Sequence, residues 1–125
     1  MIRVFLVCDD PIFCEKLDNF FNLQHNFQVC GKAPRNLAAV QKAHSLFPDV
    51  AIIVANGVHD LKVTDSFKKN MPHLPLFFMT TTPSVEIEKK AFAHGIDAVF
   101  SVDDELTSVA LNAREVCPEK RVAAA

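Results

Sequence analysis

The chain has 125 residues, half of them hydrophobic, and a formal net charge of −2. This length and apolar content predict one domain with a single packed core, and they argue against a second domain. The near-neutral charge, with lysines and arginines scattered along the chain, argues against direct binding to nucleic acid.

The apolar runs are too short to cross a membrane, and Asp9 and Asp10 interrupt the apolar N-terminal stretch as no signal peptide would allow. The four cysteines form no C-x-x-C motif and have no zinc-type spacing with the five histidines. We therefore expect all four cysteines to be reduced thiols. We therefore expect a soluble, cytoplasmic protein with no metal or other cofactor and no contact with a membrane.

Five short apolar runs are each of strand length, and they are continuously apolar, as in strands covered by helices on both faces. They lie at residues 2–7, 27–30, 50–55, 76–79 and 98–100.

The segments between these runs have helical periodicity, and proline or glycine residues mark their ends. The first helix follows Pro11, and the fourth begins near Pro83 and Ser84 and ends at Gly95. The fifth is expected to begin at Asp103 or Asp104 as its cap. The apolar stripes of the first, second, third and fifth helices contain Phe13, Leu17, Phe20 and Phe21; Leu37, Val40, Ala43 and Phe47; Val63 and Phe67; and Leu106, Val109, Ala110, Ala113 and Cys117.

Five alternations of strand and helix predict an α/β fold with three layers, α/β/α, around a doubly wound parallel sheet. The flavodoxin-like strand order 2-1-3-4-5 is the expected arrangement. We assign residues 1–118 to this domain and residues 119–125 to a C-terminal tail or the start of a linker. Functional residues are expected at the carboxyl ends of the strands.

Five motifs at or beside the strand ends resemble those of one family, and they occur in the order that this family has. They are Leu6-Val7-Cys8-Asp9-Asp10-Pro11, Val29-Cys30-Gly31-Lys32-Ala33, Pro48-Asp49-Val50-Ala51-Ile52-Ile53, Pro75-Leu76-Phe77-Phe78-Met79-Thr80 and His94-Gly95-Ile96-Asp97-Ala98-Val99-Phe100. The chain is similar to CheY-like receiver domains of response regulators, and to those that precede a LuxR-type DNA-binding domain in particular. The resemblance covers nearly the whole chain.

This resemblance implies a phosphorylation pocket with two acids for Mg²⁺, a phosphoacceptor Asp, a Thr or Ser, and a Lys. Aligning the motifs places Cys8 and Asp9 at the acid pair, Val54 at the acceptor, Thr80 at the hydroxyl residue and Val102 at the lysine. Valine is neither a nucleophile nor a metal ligand. We therefore expect a degenerate pocket, and a pseudo-receiver that is not an enzyme and is not phosphorylated.

Three alternatives concern single residues near these strand ends. A slip of the first strand by one residue would pair Asp9 with Asp10, although Pro11 fixes the register and Asp10 is better suited to cap the first helix. Cys8 could be a redox sensor if a helix N-terminus lowered its pKa, but a buried inert thiol is the preferred interpretation. His59 could contact a ligand, although a lone loop histidine is usually solvated.

The leading functional hypothesis is regulation of a partner by protein contact, with transcription controlled through an attached or partner DNA-binding domain. DNA would then be contacted only through that separate output domain. The alternative is a redox or small-molecule sensor that uses the vacated pocket around Cys8. A protein partner, or a second copy in a homodimer, is expected on the fourth helix, fifth strand and fifth helix, with Lys89, Lys90, Val99, Phe100, Asp103, Leu106 and Asn112. An alternative dimer would use the first and fifth helices.

Overall fold

Five parallel strands form one sheet in the order β2-β1-β3-β4-β5, in a computed structural model that describes residues 1–55 and 61–117. The strands are β1 (Ile2–Val7), β2 (Phe27–Ala33), β3 (Val50–Ala55), β4 (Leu76–Thr80) and β5 (Ala98–Ser101). The predicted fold class and strand order are confirmed. Strands β1 and β3 have the predicted bounds, whereas β2 continues for three residues beyond its apolar run, to Ala33.

A helix follows each strand, as right-handed crossovers between parallel strands require. The helices are α1 (Pro11–Leu23), α2 (Ala38–Leu46), α3 (Leu61–Asn70), α4 (Val85–Ala93) and α5 (Leu106–Val116). Ser84 caps α4 by accepting a hydrogen bond from the Ile87 backbone amide, and Gly95 ends the helical segment with a φ of 97°. No helix within the described ranges is both long and apolar enough to span a bilayer.

The strands bury side chains on both faces of the sheet, which explains why the apolar runs are continuous and do not alternate. One face packs against α1 and α5 around Leu17, Phe21 and Val109. The other packs against α2, α3 and α4 around Val40, Phe67 and Ala91.

The prediction that the whole apolar stripe of α2 is buried is wrong for two residues. Leu37 lies at the N-cap of α2 and is 64% exposed, and Phe47 lies at the C-cap and is 79% exposed. Phe47 has a φ of 52°, in the left-handed region, so the helix ends there and the ring points away from the core. Only the middle of the stripe, around Val40 and Ala43, is buried.

The expected cap of α5 is also wrong. The helix begins at Leu106, and its N-cap residue, Glu105, makes no capping hydrogen bond through its side chain. Asp104 instead accepts a hydrogen bond from the Ser101 backbone amide at 2.8 Å, which closes the turn after β5. The predicted tail, residues 119–125, and His59 lie outside the described residues.

Candidate functional site

The strand register places the predicted pocket residues along one edge of the sheet. Val7 of β1 pairs with Ile53 of β3, so the next residues, Cys8 and Val54, follow at adjacent strand ends. Thr80 pairs with Ala55 on one side and with Ser101 on the other. The Val102 backbone amide donates a hydrogen bond to the Thr80 carbonyl at 3.0 Å. The carboxyl ends of four neighbouring strands therefore meet where the sequence predicts a site.

One side of this edge is apolar. Cys8 is buried in the core beneath α1 and α5, and Val54 and Val102 are half-buried against the same core. A half-buried isopropyl group thus stands at the end of the central strand β3. It offers no lone pair for attack on phosphorus and no oxygen ligand for a cation.

Cys8 has the surroundings of an inert thiol. Its Sγ donates a weak hydrogen bond to the Asp10 carbonyl at 3.4 Å. Burial, followed by the neighbouring thiol of Cys14, raises the pKa of Cys8 to about 12. The lowered pKa that a redox sensor needs is therefore contradicted, since the reactive thiolate is scarce near neutral pH. Cys8 and Cys14 line an open cleft of about 300 Å³ together with Lys32.

Asp9 is held by a residue that sequence analysis missed. The Arg35 backbone amide donates a hydrogen bond to Asp9 Oδ1 at 2.8 Å, and Arg35 Nη2 lies 3.2 Å from Asp9 Oδ2. Arg35, Asp9 and Val54 line the same small cleft, of about 150 Å³. The available signal was the position of Arg35 two residues after β2, because the loop after each parallel strand reaches this edge of the sheet.

Asp10 caps α1, which is the role that the sequence favoured over pairing with Asp9. Its Oδ1 accepts a hydrogen bond from the Ile12 backbone amide at 3.0 Å, and Pro11 occupies the first turn of the helix. Asp10 is thus committed to the helix N-terminus, which argues against the register slip that would pair it with Asp9.

Thr80 is fully buried at the end of β4. Its Oγ1 accepts a hydrogen bond from the Thr82 backbone amide at 3.2 Å and lies 3.4 Å from Thr82 Oγ1. The hydroxyl therefore stabilises the turn that leads toward α4, as a short local hydrogen bond does.

The residues at this edge do not fit the Mg²⁺ ion that the resemblance implies. Mg²⁺ requires hard oxygen ligands in octahedral geometry. Of the two positions of the acid pair, Cys8 carries a soft thiol and Asp9 is already paired with Arg35. Within the described ranges, no three His, Cys, Asp or Glu side chains are grouped so that they could hold a metal ion.

The predicted contact surface is only partly exposed. Lys89, Lys90 and Asp103 are exposed, and Val99 and Asn112 are half-buried. Phe100 is wrong as a contact residue, because it is only 8% exposed and its ring packs 5.5 Å from that of Phe77. Leu106 also packs against the core. Four exposed apolar residues on α4 and α5 were not among the predicted contact residues, namely Val85, Phe92, Leu111 and Val116.

Comparisons with known proteins agree with this architecture. The response regulator protein VraR of Staphylococcus saprophyticus is 22% identical over 99 residues, which cover 78% of this chain and 47% of that protein. The chain thus spans about half the length of the curated relatives it matches. No family model matches the sequence.

Solved structures share the fold at low sequence identity. A DNA-binding response regulator of the LuxR family from Staphylococcus aureus superposes with a TM-score of 0.79 at 16% identity, covering 93% of this chain and 98% of that one. A CheY-like response regulator receiver domain protein from Methanospirillum hungatei gives a TM-score of 0.77 at 16% identity, covering 95% and 98% of the two chains. The chain is therefore similar in sequence to response regulators and has the fold of their receiver domains.

Proposed function

We propose that this receiver domain of the response-regulator type signals by protein contact and without accepting a phosphoryl group. One observation carries the proposal, which is the isopropyl group of Val54 at the end of β3. The register of β3 between β1 and β4 supports this placement, because it sets Val54 beside Met79 and one residue before the pair of Ala55 with Thr80.

The neighbours of Val54 are consistent with the loss of phosphoryl chemistry. Without a metal ion, a cluster of carboxylates at this edge would repel itself, and a buried lysine would lack a partner. Cys8 and Val102 avoid both penalties, because they bring no charge to the core that they contact. Two carboxylates line the cleft beside Val54. Asp9 is paired with the guanidinium of Arg35, and Asp10 caps α1.

The partner surface is proposed on α4, β5 and α5. Phe92 is 50% exposed on α4 and Leu111 is 58% exposed on α5, so both leave apolar surface in water. Lys89 and Lys90 are exposed on the same helix as Phe92, with Lys90 Nζ 3.5 Å from Glu86 Oε1. Apolar side chains with a charged rim are typical of protein contacts. A partner, or a second copy in a homodimer, would cover this surface.

The second possible dimer surface lies on α1 and α5. Ile12 and Leu23, at the two ends of α1, are 81% and 85% exposed. Arg114 of α5 stacks its guanidinium 4.9 Å from the centre of the Phe27 ring and makes this side of α5 more polar. We favour the surface on α4, β5 and α5, because its exposed apolar residues lie on both helices.

The output of the domain is proposed to be transcriptional. The matched curated relatives are response regulators about twice as long as the matched segment, and one structural neighbour is described as a DNA-binding response regulator of the LuxR family. We propose that a DNA-binding domain, attached to this chain or carried by a partner, is regulated through contact with this domain.

Incubation with acetyl phosphate, or with beryllofluoride and Mg²⁺, tests the proposal directly. We expect no phosphoryl adduct in the intact mass and no change in the amide NMR spectrum. A receiver domain with an intact phosphoacceptor Asp, treated in parallel, verifies the reagents. An adduct on this chain, mapped to any carboxylate at the strand ends, would refute phosphorylation independence.

A small-molecule sensor is the second candidate, and the cleft of about 300 Å³ beside Cys8, Cys14 and Lys32 favours it. The redox form of this hypothesis is weaker, because the raised pKa of Cys8 keeps the thiol protonated. Thiol titration with mass spectrometry on the folded protein separates the two forms. A rapid reaction of Cys8 would support a redox sensor, and slow reaction would leave only the small-molecule form.

A further inference from the structure

Two of the four cysteines meet beside the first turn of α1. The Asp10 carbonyl accepts a hydrogen bond from Cys8 Sγ at 3.4 Å and another from the Cys14 backbone amide at 2.9 Å. The residue that follows β1 and the first turn of α1 are thus held against one acceptor. The two thiols also hydrogen-bond to each other, so their sulfur atoms are neighbours.

Both thiols line the open cleft of about 300 Å³ described above. Cys8 is 7% exposed and Cys14 is 8% exposed, so each presents only a small area of sulfur to the solvent. Pro11, Ala33 and Pro34 form the apolar part of the lining and offer no side-chain ligand. An opening of this kind suits a small ion that binds sulfur.

Three charged residues complete the lining of the cleft, namely Asp9, Glu15 and Lys32. The two acids carry hard oxygen ligands, which a soft ion disfavours, and Asp9 is already paired with Arg35. Lys32 lies 2.7 Å from Asp18 in an ion pair. Burial raises the pKa of Cys14, and among the charges around this thiol the largest effect is that of Lys32, which lowers the pKa. Lys32 therefore favours a negative charge on the sulfur despite its pairing with Asp18.

The number of ligands limits the kind of ion that the two thiols can hold. Within residues 1–55 and 61–117, no third His, Cys, Asp or Glu side chain is grouped with them as a metal ligand. Zn²⁺ in proteins takes four ligands and Mg²⁺ takes oxygen ligands in octahedral geometry, so neither ion fits. Thiolate ligands select Cu(I), a closed-shell ion that also forms linear complexes with two sulfur atoms.

We propose that Cys8 and Cys14 form a two-coordinate site for a soft monovalent cation of the Cu(I) type. Each thiol releases its proton to the solvent as its sulfur binds the ion. Two S–H bonds break, two S–Cu bonds form, and copper stays in the +1 state. The complex carries one negative charge, which Lys32 partly compensates.

The slow reactivity expected of Cys8 does not conflict with this site. Burial raises the pKa of both thiols, which makes them poor nucleophiles near neutral pH. A bound metal ion, by contrast, deprotonates its thiol ligand outright. The inference rests on the cleft of the second candidate function and not on the loss of phosphoryl chemistry, so this experiment and the acetyl phosphate experiment can fail separately.

Anaerobic titration of the full chain with Cu(I), in competition with the chromophoric chelator bicinchoninate, tests the inference. The variant Cys30→Ala/Cys117→Ala retains only the Cys8–Cys14 pair and should bind one Cu(I) per chain. After correction for the chelator, its affinity should rise about 100-fold from pH 6 to pH 7, because two protons leave for each ion bound. A rise of only about tenfold would mean that a single thiol binds and would overturn the proposal.

Single variants distinguish the paired thiols from the other two. Loss of a residue that merely supports a metal ligand costs about 10- to 100-fold in affinity, so Cys8→Ala or Cys14→Ala should weaken binding at least about 100-fold. Cys30→Ala and Cys117→Ala are the matched controls and should leave the affinity unchanged. Equal losses in all four variants, or unchanged affinity after loss of either paired thiol, would overturn the proposal.

X-ray absorption at the copper edge keeps the test independent of how well the variants fold. In Cys30→Ala/Cys117→Ala loaded with Cu(I), we expect two sulfur neighbours and no oxygen or nitrogen neighbour. A single sulfur neighbour, or a copper ion shared by two chains, would overturn the proposal.

Discussion

Replacing Val54 with aspartate returns a carboxylate to the end of β3 and tests whether this edge of the sheet can still accommodate one. If the edge is adapted to apolar residues, the variant loses stability and gains no phosphoryl chemistry. If the edge can still form a metal site once a carboxylate is restored, Mg²⁺ should bind between the new carboxylate and Asp9. The two outcomes differ in sign when Mg²⁺ is added, so a stability measurement separates them.

The size of the loss follows from the surroundings of Val54. Removing a half-buried valine side chain from the core costs about 1 kcal/mol. The new carboxylate would share a small cleft with Asp9, and two charges about 5 Å apart at an effective dielectric constant of about 20 repel by about 3 kcal/mol. Arg35 offsets part of this repulsion. We expect the free energy of unfolding to fall by about 2 to 3 kcal/mol at pH 7, and Tm by roughly 10 °C.

The pH dependence identifies the charge as the cause. Partial burial and the nearby Asp9 should raise the pKa of the new carboxyl above its value in the unfolded chain. Below the unfolded pKa near 4, the carboxyl is protonated in both states and its charge does not lower the free energy of unfolding. The loss of stability caused by the charge grows as the pH rises through the folded pKa. The stability difference between variant and parent should therefore widen from about pH 4 to pH 7.

Urea denaturation at both pH values, with and without Mg²⁺, measures these differences. Val54→Asn is the matched control, because it loses the same packing without adding a charge, and its deficit should depend little on pH. An aspartate variant as stable as its parent at pH 7, or one that Mg²⁺ stabilises strongly, would contradict the idea that the site has been rebuilt.

Three further substitutions or treatments test individual features. Iodoacetamide at pH 8 should modify Cys8 far more slowly in the folded protein than in urea, since burial and Cys14 raise the pKa of Cys8 to about 12. Peptide mass spectrometry measures both rates. Equal rates would show that the thiol is accessible and ionised in the folded protein. Because this folded pKa exceeds the reference value of 9.0, the thiol stabilises the fold below pH 9 and that contribution disappears as the pH rises toward 12. Thr64→Val should raise the free energy of unfolding by about 1 kcal/mol, because it removes a buried hydroxyl that has no hydrogen-bond partner among the residues that the structure describes. A loss of stability in urea would indicate a partner for that hydroxyl. Gly95→Ala should lower the free energy of unfolding by about 1 to 2 kcal/mol. The φ of 97° disfavours a side chain, and the new Cβ would lie 2.7 Å from Lys68 Cε. An unchanged urea midpoint would show that the turn tolerates alanine.

The fold was predictable because its strands are buried on both faces and its helix boundaries are marked by proline and glycine. Continuous apolar runs such as Val50–Ala55 occur where helices cover both sides of a sheet. Once five such runs alternate with helices, the handedness of the crossovers leaves few topologies. The same logic predicted the edge at which functional residues lie, since the carboxyl ends of adjacent parallel strands share it. The individual pocket positions came from the resemblance to receiver domains.

The residues that sequence analysis missed depend on backbone geometry at the ends of elements. Phe47 has the spacing of a core residue, but the left-handed turn at the end of α2 directs its ring outward. Phe100 was assigned to the surface by resemblance, whereas the alternation of β5 turns it into the core beside Phe77. Periodicity reports which face a side chain occupies only while the helix or strand continues.

Arg35 accounts for the position of the Asp9 carboxylate at the carboxyl end of the sheet. The amide and guanidinium of Arg35 both bind Asp9, and so tie the loop after β2 to the end of β1. The pair is partly exposed, so its contribution to stability is small, about 1 kcal/mol or less. Its contribution to mechanism is larger, because a guanidinium on the chain is permanently charged and does not dissociate as a bound ion or a phosphoryl group does. Under the proposed function, a site neutralised in this way has no chemical off state, and a change in signal comes from what binds to the outside of the domain.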